Sequence, residues 1–434
     1  MRLGDHCVKI GSGSTPTGGK DAYLTHGPFM LIRSQNVYND GFKPSGLAFI
    51  SDEQAKKLDG VALQAGDVLL NITGDSVARV CIALPRYLPA RVNQHVAIIR
   101  PKPLIFDSRF VRYFLASDYQ QDLMLGLAAA GATRNALTKS MIEDFKIPCP
   151  SISVQRGVAD VLSALDDRIT LLRETNATLE AIAQALFKSW FVDFDPVRAK
   201  LEGRAPEGMD ETTARLFPDS FEESELGLVP RGWRVATLAD TFDINPTRKL
   251  SKGVMASYLD MASLATSGHC VEAPIEREMG SGAKFQNGDT LLARITPCLE
   301  NGKSAFVDFL AEGQIGWGST EFLVLRPKAP LPQYLGYLLC RHPAFREYAI
   351  QSMSGTSGRQ RIQNDVLGRY MLAVPSLEIA AVFGSVIEPT QRSIAANHQS
   401  AQTLATLRDT LLPRLISGQL RLPEAESLLE GFAA

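Results

Sequence analysis

The chain contains two copies of one long sequence pattern. Gly-Asp-Val-Leu-Leu at 66–70 returns as Gly-Asp-Thr-Leu-Leu at 288–292. The Arg-Pro-Lys that ends the stretch 93–102 returns at the end of the stretch 319–328. The copies lie about 225 residues apart, a period far too long for a solenoid repeat. We therefore expect a duplicated module and a pseudo-two-fold protein.

Each copy begins with a globular stretch of about 145 residues that mixes strand and helix patterns. Short apolar runs at 68–72, 96–100 and 321–325 are bounded by Gly, Pro and Asn, which is typical of strands and turns. The stretches 107–125 and 331–351 carry helical patterns. The sequence therefore predicts a mixed α/β (α+β) fold with two globular domains.

A long helix is predicted after each globule. Ser151 and Ser376 each follow a proline and are suitable N-caps. Beyond them, apolar residues recur at alternating spacings of three and four, as in a coiled-coil heptad. The predicted seam consists of Leu162, Leu165, Ile169, Leu172, Asn176 and Leu179 in the first helix, and of Ile387, Ile394, Asn397, Leu404 and Leu411 in the second.

The second seam is less regular than the first, because Arg408 stands on it and Leu407 is the apolar substitute beside it. An apolar stripe also fits an ordinary core helix, but two equivalent helices in one chain favour packing of one on the other. Asn176 and Asn397 on this seam would lower stability and set the register of the pair.

The charge of the chain is unevenly distributed around a net value of −2. Residues 1–150 carry 17 basic and 13 acidic side chains, residues 231–375 carry 16 and 13, and residues 191–230 carry 4 and 10. The mildly basic net charge of both globules agrees with an anionic partner, although the clustering of basic side chains on the surface matters more than the net charge. The predicted division is a first globule at 1–150, a helical spacer at 151–190, an acidic connector at 191–230, a second globule at 231–375, a second spacer at 376–422 and a tail at 423–434.

Several classes of protein are not indicated. No run of about 18 apolar residues and no apolar stretch near Met1 occurs, so a cytoplasmic protein without a membrane span is expected. The cysteines form no Cys-x-x-Cys pair, and the histidines are unpaired in sequence. The Gly-rich stretch 13–20 departs from the P-loop pattern, and no hydrolase or zinc-protease motif occurs. We expect no catalytic, cofactor or metal site in this chain.

Three further motifs stand in a fixed order. Trp-Phe-Val-Asp-Phe-Asp-Pro at 190–196 closes the first predicted helix, Pro-Arg-Gly-Trp at 230–233 precedes the second globule, and Leu-Leu-Pro-Arg-Leu-Ile-Ser-Gly at 411–418 ends the second helix. Together with the duplicated pattern, they resemble the specificity subunit of type I restriction–modification systems (HsdS family) over essentially the whole chain. The first globule lacks the Pro-x-Gly-Trp entry, which concerns only the packing of its first residues.

The resemblance implies that each globule is a target-recognition domain reading one half of a split, asymmetric DNA site. It implies that the two helices form an antiparallel coiled coil that sets the distance between the half-sites. Two modification subunits would dock on the chain and supply S-adenosylmethionine and adenine methylation. A restriction subunit, using ATP and magnesium, is a further potential partner. The chain itself would be a non-catalytic subunit in the cytoplasm of a bacterial or archaeal cell.

Candidate DNA-binding residues are chosen by chemistry, because base edges are read by Arg, Asn and Gln, and phosphates by Lys, Arg, Ser and Thr. We look for such residues in loops and at strand ends, matched between the copies. In the first globule they are Thr15, Lys20, Arg33, Ser34, Gln35, Asn36, Thr73, Arg79, Asn93, Gln94, His95, Thr133, Arg134, Asn135 and Lys139. In the second they are Asn245, Arg248, Lys249, Arg294, Thr296, Lys303, Ser319, Thr320, Ser357, Arg359 and Arg361.

Arg134 and Arg359 occupy equivalent places in the two copies and are interpreted as phosphate contacts, whereas residues that differ between copies would read different bases. Asp67 and Asp289 are interpreted as turn formers. Two alternatives stay open: a scaffold with two protein-binding heads and no DNA role, and an orphan subunit that docks on modification subunits without reading DNA.

Overall fold

The computed structural model describes residues 1–130, 135–271, 274–356, 358–425 and 427. The chain forms two compact units, Met1–Thr170 together with Gln402–Ala434, and Leu171–Ala401. Unit 1 therefore holds the first globule, and unit 2 holds the second. The border falls inside both long helices, so each globule is compact together with the helical segments that pack on it.

Unit 1 is built on a four-stranded antiparallel sheet. Its strands, in spatial order, are Cys7–Ser12, Val96–Pro101, Val68–Asn71 and Val80–Ile82. A second sheet is formed by Ala48–Ile50, Phe29–Ile32 and Ala90–Val92, the last two parallel, and Val37–Tyr38 pairs with Gly41–Phe42. The helices of this globule are Asp52–Lys57, Ser108–Ala116, Asp118–Ala129 and Lys139–Glu143, with short 3-10 turns at Leu3–His6, Gly19–Ala22, Ser34–Asn36, Asp59–Val61, Gly74–Ser76 and Pro85–Tyr87.

Unit 2 repeats this plan. Its antiparallel sheet consists of Phe242–Ile244, Phe322–Pro327, Thr290–Ala293 and Ser304–Phe306. The second sheet runs Ile275–Glu278, Met255–Leu259, Gly316–Gly318 and Ala283–Phe285, with its middle pair parallel as in unit 1. Two antiparallel pairs complete the strands: Arg234–Thr237 with Met371–Val374, and the hairpin of Phe221–Ser224 with Gly227–Pro230. The helices are Asp195–Leu201, Glu211–Leu216, Leu238–Thr241, Leu335–Arg341, Pro343–Gln351 and Asn364–Gly368.

The first copy of the duplicated motifs is tied together by a buried ion pair. Asp67, whose side chain is 1% exposed, accepts hydrogen bonds from Arg100 at 2.6 and 2.8 Å. The same carboxylate accepts the backbone N–H of Gln64 at 2.8 Å, which closes the turn before the central strand. The Gly-Asp turn and the Arg-Pro-Lys strand recur together because the strand arginine is the counter-ion of the buried turn aspartate.

The second copy keeps this contact and adds a cation. Asp289, fully buried, accepts Arg326 at 2.8 Å and the backbone N–H of Gln286 at 2.9 Å. Arg248 makes a second ion pair with the same carboxylate. Both aspartates therefore form turns, as predicted, and each is also the counter-ion of a strand arginine.

Each predicted helix of the globules is in fact two helices. The stretch predicted at 107–125 is interrupted at Ser117, and the stretch predicted at 331–351 is interrupted at His342. Both residues have extended backbone, with ψ of 145° and 132°. In the second copy Pro343 follows the break and begins the next helix, as proline at a first helical position does. Both stretches are therefore largely helical, as predicted, and each contains a one-residue break that apolar periodicity does not reveal.

The two long helices are Ile152–Phe191 and Leu377–Ser417. Ser151 and Ser376 accept backbone N–H groups of the first turns, each at 3.4 Å, so both predicted N-caps are confirmed. The predicted seam residues are buried or half-buried along both helices: Leu162, Leu165, Ile169, Leu172, Asn176, Leu179, Ile387, Ile394, Asn397, Leu404 and Leu411.

Within unit 2 the two helices run antiparallel. Asn176 donates to the carbonyl of Ile394 at 3.0 Å, and Asn397 donates to the side-chain oxygen of Asn176 at 2.9 Å. Further along, the rings of Phe191 and Phe383 are 4.6 Å apart. The asparagines on the seam thus satisfy each other, which is how a polar pair is accommodated there.

Within unit 1 the irregular seam position is occupied by the arginine itself. Arg408 donates to Asp166 at 2.7 Å, and Arg112 of the globule and the hydroxyl of Tyr113 donate to the same carboxylate at 2.9 and 2.8 Å. Leu407 is half-buried beside it. The interruption of the apolar seam is therefore an ion-pair cluster that fastens the first globule to the two helices.

Aromatic side chains pack where the first long helix meets the connector in unit 2. Trp190 lies 5.4 Å from Phe383 and 5.1 Å from Phe217, and Phe194 lies 5.6 Å from Trp233. Burial of such rings is a large apolar contribution to stability. Trp190, Phe191 and Phe194 therefore pack in the hydrophobic core of unit 2.

Candidate nucleic-acid interface

One arrangement of three loop segments occurs in both units, and we call it the loop platform. It brings together the end of the central strand, the turn before the neighbouring strand, and the segment that leads to the last short helix. The platform consists of 72–74, 93–95 and 135–137 in unit 1, and of 294–296, 319–321 and 360–362 in unit 2. Ten of the 26 predicted DNA-binding residues lie on it.

Backbone hydrogen bonds hold the platform of unit 1. The backbone N–H of Leu137 donates to the carbonyl of Ile72 at 2.8 Å, and that of Ile72 donates to the carbonyl of His95 at 2.9 Å. The N–H of Gly74 donates to the carbonyl of Asn135 at 3.1 Å. These bonds fix all three segments without using side chains, so the side chains are left to point outward or to pair with one another.

The same three bonds recur in unit 2. Ile362 donates to the carbonyl of Arg294 at 3.0 Å, Arg294 donates to Glu321 at 3.0 Å, and Thr296 donates to Gln360 at 3.0 Å. The duplication therefore extends to the hydrogen-bond pattern of irregular loops.

A side chain closes the turn of each platform in the same way. Asn93 accepts the backbone N–H of His95 at 3.0 Å, and Ser319 accepts the backbone N–H of Glu321 at 3.1 Å. Asn93 is 5% exposed. As placed, its oxygen serves the turn rather than a partner molecule.

The side chains of the unit 1 platform form a chain of hydrogen bonds. Thr15 donates to Gln94 at 2.5 Å, the amide nitrogen of Gln94 lies 3.0 Å from Nε2 of His95, and Nδ1 of His95 lies 2.5 Å from Thr73. Because the Gln94 amide nitrogen can only donate, Nε2 of a neutral His95 accepts and Nδ1 carries the proton. Four predicted residues from three segments that are distant in sequence are thus brought together.

The unit 2 platform carries charges instead. Arg361 donates through Nε and Nη2 to both oxygens of Glu321, at 2.6 to 3.0 Å. The hydrogen bond from Arg361 lowers the pKa of Glu321, and the same bond raises the pKa of Arg361. Arg294 donates to the carbonyl of Ile362 at 2.7 and 3.1 Å, so its guanidinium holds the platform together.

A solvent-open cleft adjoins the unit 2 platform. Arg294 and Thr320 of the platform line it, together with Asn245, Arg248 and Lys284. Asn245 adopts a left-handed backbone conformation with φ of 54°, and its side chain accepts the backbone N–H of Val324 at 2.9 Å. The cleft is rich in basic and hydrogen-bonding groups, as a nucleic-acid surface requires.

The loop after the central strand is held by residues that we did not predict from sequence. In unit 1, Gln121 donates to the carbonyl of Ala78 at 2.9 Å. In unit 2, Arg341 donates to the carbonyl of Gly302 at 2.8 Å, and Arg346 donates to that of Glu300 at 3.0 Å. Gln121 and Arg346 occupy matching positions of the two copies, and this match was the signal that could have revealed them.

Some predicted residues are buried in structural contacts. Asn36 is fully buried and donates to the carbonyls of Lys43 and Ser45 at 2.9 and 3.2 Å. Thr296 is 9% exposed and accepts the backbone N–H of Gln360. Arg248 is 7% exposed at its side chain and faces Asp289. In this conformation these side chains are not available to bases.

Other predicted residues of unit 1 have local partners near the surface. Arg33 and Gln35 donate to the carbonyl of Gly46 at 2.5 and 3.1 Å, and Arg79 lies 4.5 Å from the ring centre of Tyr38. The carbonyl of Ser34 accepts a hydrogen bond from the side chain of Asn71, and Lys20 lies within a 3-10 turn. Asn135 is exposed, and Nζ of Lys139 lies 3.6 Å from the carboxylate of Glu143.

In unit 2, Lys303 donates to the carbonyl of Met261 at 2.7 Å, whereas Lys249 and Arg359 are exposed. Thr133, Arg134 and Ser357 lie outside the described residues, so the proposed match of Arg134 with Arg359 stays a prediction. Contact of any of these residues with DNA also stays a prediction.

No group of three or more His, Cys, Asp or Glu side chains is arranged to hold a metal ion among the described residues. None of the described helices is both long and apolar enough to cross a membrane.

Comparison with known proteins points to one family. A family model for the type I restriction modification DNA specificity domain matches residues 1–181. The type I restriction enzyme HindI specificity subunit of Haemophilus influenzae is 24% identical, covering 90% of this chain and 94% of its own length. The MjaIX specificity subunit of Methanocaldococcus jannaschii is also 24% identical, covering 96% and 92%.

A solved structure shares the fold. The crystal structure of the type I restriction-modification system S subunit from M. genitalium matches with a TM-score of 0.54 and 14% identity, covering 96% of this chain and 95% of that one. Residues 1–181 thus match the DNA specificity domain of this family, and over nearly its whole length the chain is similar to type I restriction enzyme specificity subunits.

Proposed function

We propose that this chain selects the DNA sequence for a type I restriction–modification complex, with each loop platform reading one half of a bipartite double-stranded site. The observation that carries the proposal is the pair of platforms. Their backbone hydrogen bonds are the same, and their outward side chains differ. A shared backbone suits contacts that both half-sites offer, and different side chains suit different bases.

The chemistry of the two platforms fits this division of roles. Phosphates and sugars look alike in every sequence, so contacts to them position a protein without selecting a site. Base edges differ, and they are distinguished by directed donors and acceptors. The platform of unit 1 offers amide, imidazole and hydroxyl groups, whereas that of unit 2 offers a guanidinium and a carboxylate.

In this proposal the long helices form the spacer and, with neighbouring surfaces, the docking site for two modification subunits. Those partners supply S-adenosylmethionine and the adenine-methylation chemistry. A restriction subunit, with its ATP and magnesium, joins through them, and the complex acts in the cytoplasm of a bacterial or archaeal cell. The chain contributes binding and positioning, and no catalytic step is assigned to it.

The test is co-expression with the modification subunit encoded beside this chain, followed by genome-wide mapping of N6-methyladenine. We expect a stable complex and one methylated motif made of two short half-sites around a fixed unread gap. A stable complex without any motif would support docking without DNA reading. Absence of a complex would support the scaffold alternative.

A further inference from the structure

We propose that Arg361 and Glu321 act as one specificity-determining pair that reads a G·C base pair in the half-site bound by unit 2. The inference rests on the proposed DNA-reading function and adds the residue and the base class. It comes from the pairing geometry of these two side chains and from what stands at the equivalent positions of unit 1.

The backbone of Arg361 is held from two sides. Its N–H donates to the carbonyl of Ser354 at 2.9 Å, and its carbonyl accepts the N–H of Ser354 at 3.0 Å. It also forms a β-bridge with Ile295 at the end of the central strand. These contacts fix where the side chain begins without involving the guanidinium.

The side chain is fixed as well, yet it remains accessible. Both Nε and Nη2 bond to Glu321, while the Arg361 side chain is 41% exposed and that of Glu321 is 25% exposed. A guanidinium that is already oriented loses little conformational freedom when it binds a planar acceptor. The ion pair is therefore a preorganised reader rather than a flexible surface charge.

The donors and acceptors left over match one base pair. A guanidinium has five N–H groups, and the pair with Glu321 uses the Nε group and one on Nη2, which leaves three for O6 and N7 of guanine. The carboxylate retains free lone pairs that can accept from N4 of cytosine. One side-chain pair can thus recognise both members of a G·C pair.

Unit 1 lacks this pair at the equivalent positions. Ala136, in a β-bridge with Thr73, stands where Arg361 bridges Ile295, and His95 stands where Glu321 does. We therefore expect the G·C preference to belong to one half-site, which makes the other half-site an internal control for assembly and folding.

The experiment maps methylation for the complex of this chain with its modification subunit, comparing the native chain with Arg361→Gln, Arg361→Lys and Glu321→Gln. Arg369→Gln is the matched control, because Arg369 is an exposed arginine of the same globule whose ion pair with Asp365 is also exposed. Circular dichroism of each purified variant reports whether the chain is folded.

We expect Arg361→Gln to lose discrimination at one G·C position of one half-site by roughly 5- to 150-fold, while every other position is unchanged. Arg361→Lys should relax the same position, because a lysine keeps the charge and loses the fork. Glu321→Gln should affect that position less, and Arg369→Gln should leave the motif intact.

Three results would overturn the inference. One is a native motif without a G·C pair in either half-site. Another is variants that lower methylation evenly while every base preference is kept, since this would indicate a phosphate or structural role. The third is loss of all methylation in all three folded variants. If the native chain gives no motif at all, the proposed function itself fails, which is a different outcome from these.

Discussion

The two loop platforms share the same backbone hydrogen bonds, but their side chains are neutral in unit 1 and charged in unit 2. In unit 1 a neutral chain of hydrogen bonds runs from Thr15 through Gln94 and His95 to Thr73. In unit 2 the ion pair of Arg361 with Glu321 stands on the same backbone pattern. The difference teaches that irregular loops can keep the same backbone arrangement in both units when their backbone groups bond to one another. The side chains can then differ without loss of the loop conformation.

The frame has its own anchors, and these also differ between the units. Asp67 holds one arginine, whereas the fully buried Asp289 holds two. Left-handed backbone is adopted by Ala78 in one loop and by Gly302 in the other. These paired differences give substitutions whose effects should separate the two units.

The largest effect is expected at Asp289. Asp289→Ala leaves Arg248 and Arg326 without their counter-ion, and should cost about 3–5 kcal/mol of unfolding free energy. Asp67→Ala leaves only Arg100 without its counter-ion and should cost about 1.5–3 kcal/mol of unfolding free energy. All three tryptophans, at 190, 233 and 317, lie in unit 2, so urea unfolding followed by tryptophan fluorescence reports Asp289→Ala. Circular dichroism follows the urea unfolding of Asp67→Ala in unit 1. Equal losses for the two variants would contradict the proposed role of the second cation.

An intermediate and pH-dependent effect is expected at Asp166 of unit 1. Burial works to raise the pKa of this carboxyl, but Arg112, Arg408 and Tyr113 outweigh it and hold the pKa below its ordinary value. A lowered pKa gives stability that is complete above about pH 4 and is lost as the pH falls further, through the lowered value.

Asp166→Asn should therefore destabilise unit 1 by about 1–3 kcal/mol at neutral pH. The gap between the native chain and the variant should close as the pH falls from about 4 towards 2. Urea unfolding followed by circular dichroism across this range measures the gap. A gap that stays constant down to the lowest pH would show that the ionised carboxylate is not what stabilises the cluster.

The smallest effect is expected at the two left-handed loop positions. Gly302→Ala should cost about 1–2 kcal/mol, because a Cβ is disfavoured at φ of 75° and would lie 2.9 Å from Arg346. Ala78→Gly relieves the same strain but removes a buried methyl group and adds chain entropy, so it should change stability by less than about 1 kcal/mol. Thermal unfolding of both variants measures the difference, and a larger loss for Ala78→Gly would refute the argument.

Much of the architecture could be predicted because it is written in periodic patterns. The heptad spacing of Leu162, Leu165 and Ile169 gave their burial, and the repeated Gly-Asp and Arg-Pro-Lys motifs gave the equivalent strands. The seam position of Arg408 was less predictable, because its counter-ion Asp166 lies on the other helix and Arg112 comes from the globule. Long-range ion pairs leave no local periodicity.

The site could be predicted only as a set of candidates. Polar loop residues look alike in sequence whether they are buried, as Asn36 is, or half-exposed, as Arg361 is. Glu321 was missed because an acidic residue was not sought as a partner for DNA, although its counterpart His95 was among the candidates. Which side chains pair is decided by loop geometry, and that geometry depends on contacts between segments more than 20 residues apart.

The central claim is that each platform reads its own half-site. The most direct test is a pair of methylation maps, one for Gln94→Ala in unit 1 and one for Arg361→Gln in unit 2, each in complex with the modification subunit. We predict that the two variants change base preference in different half-sites and that each leaves the other half-site and the unread gap unchanged. Changes in the same half-site, or no change of preference in either map, would contradict the account.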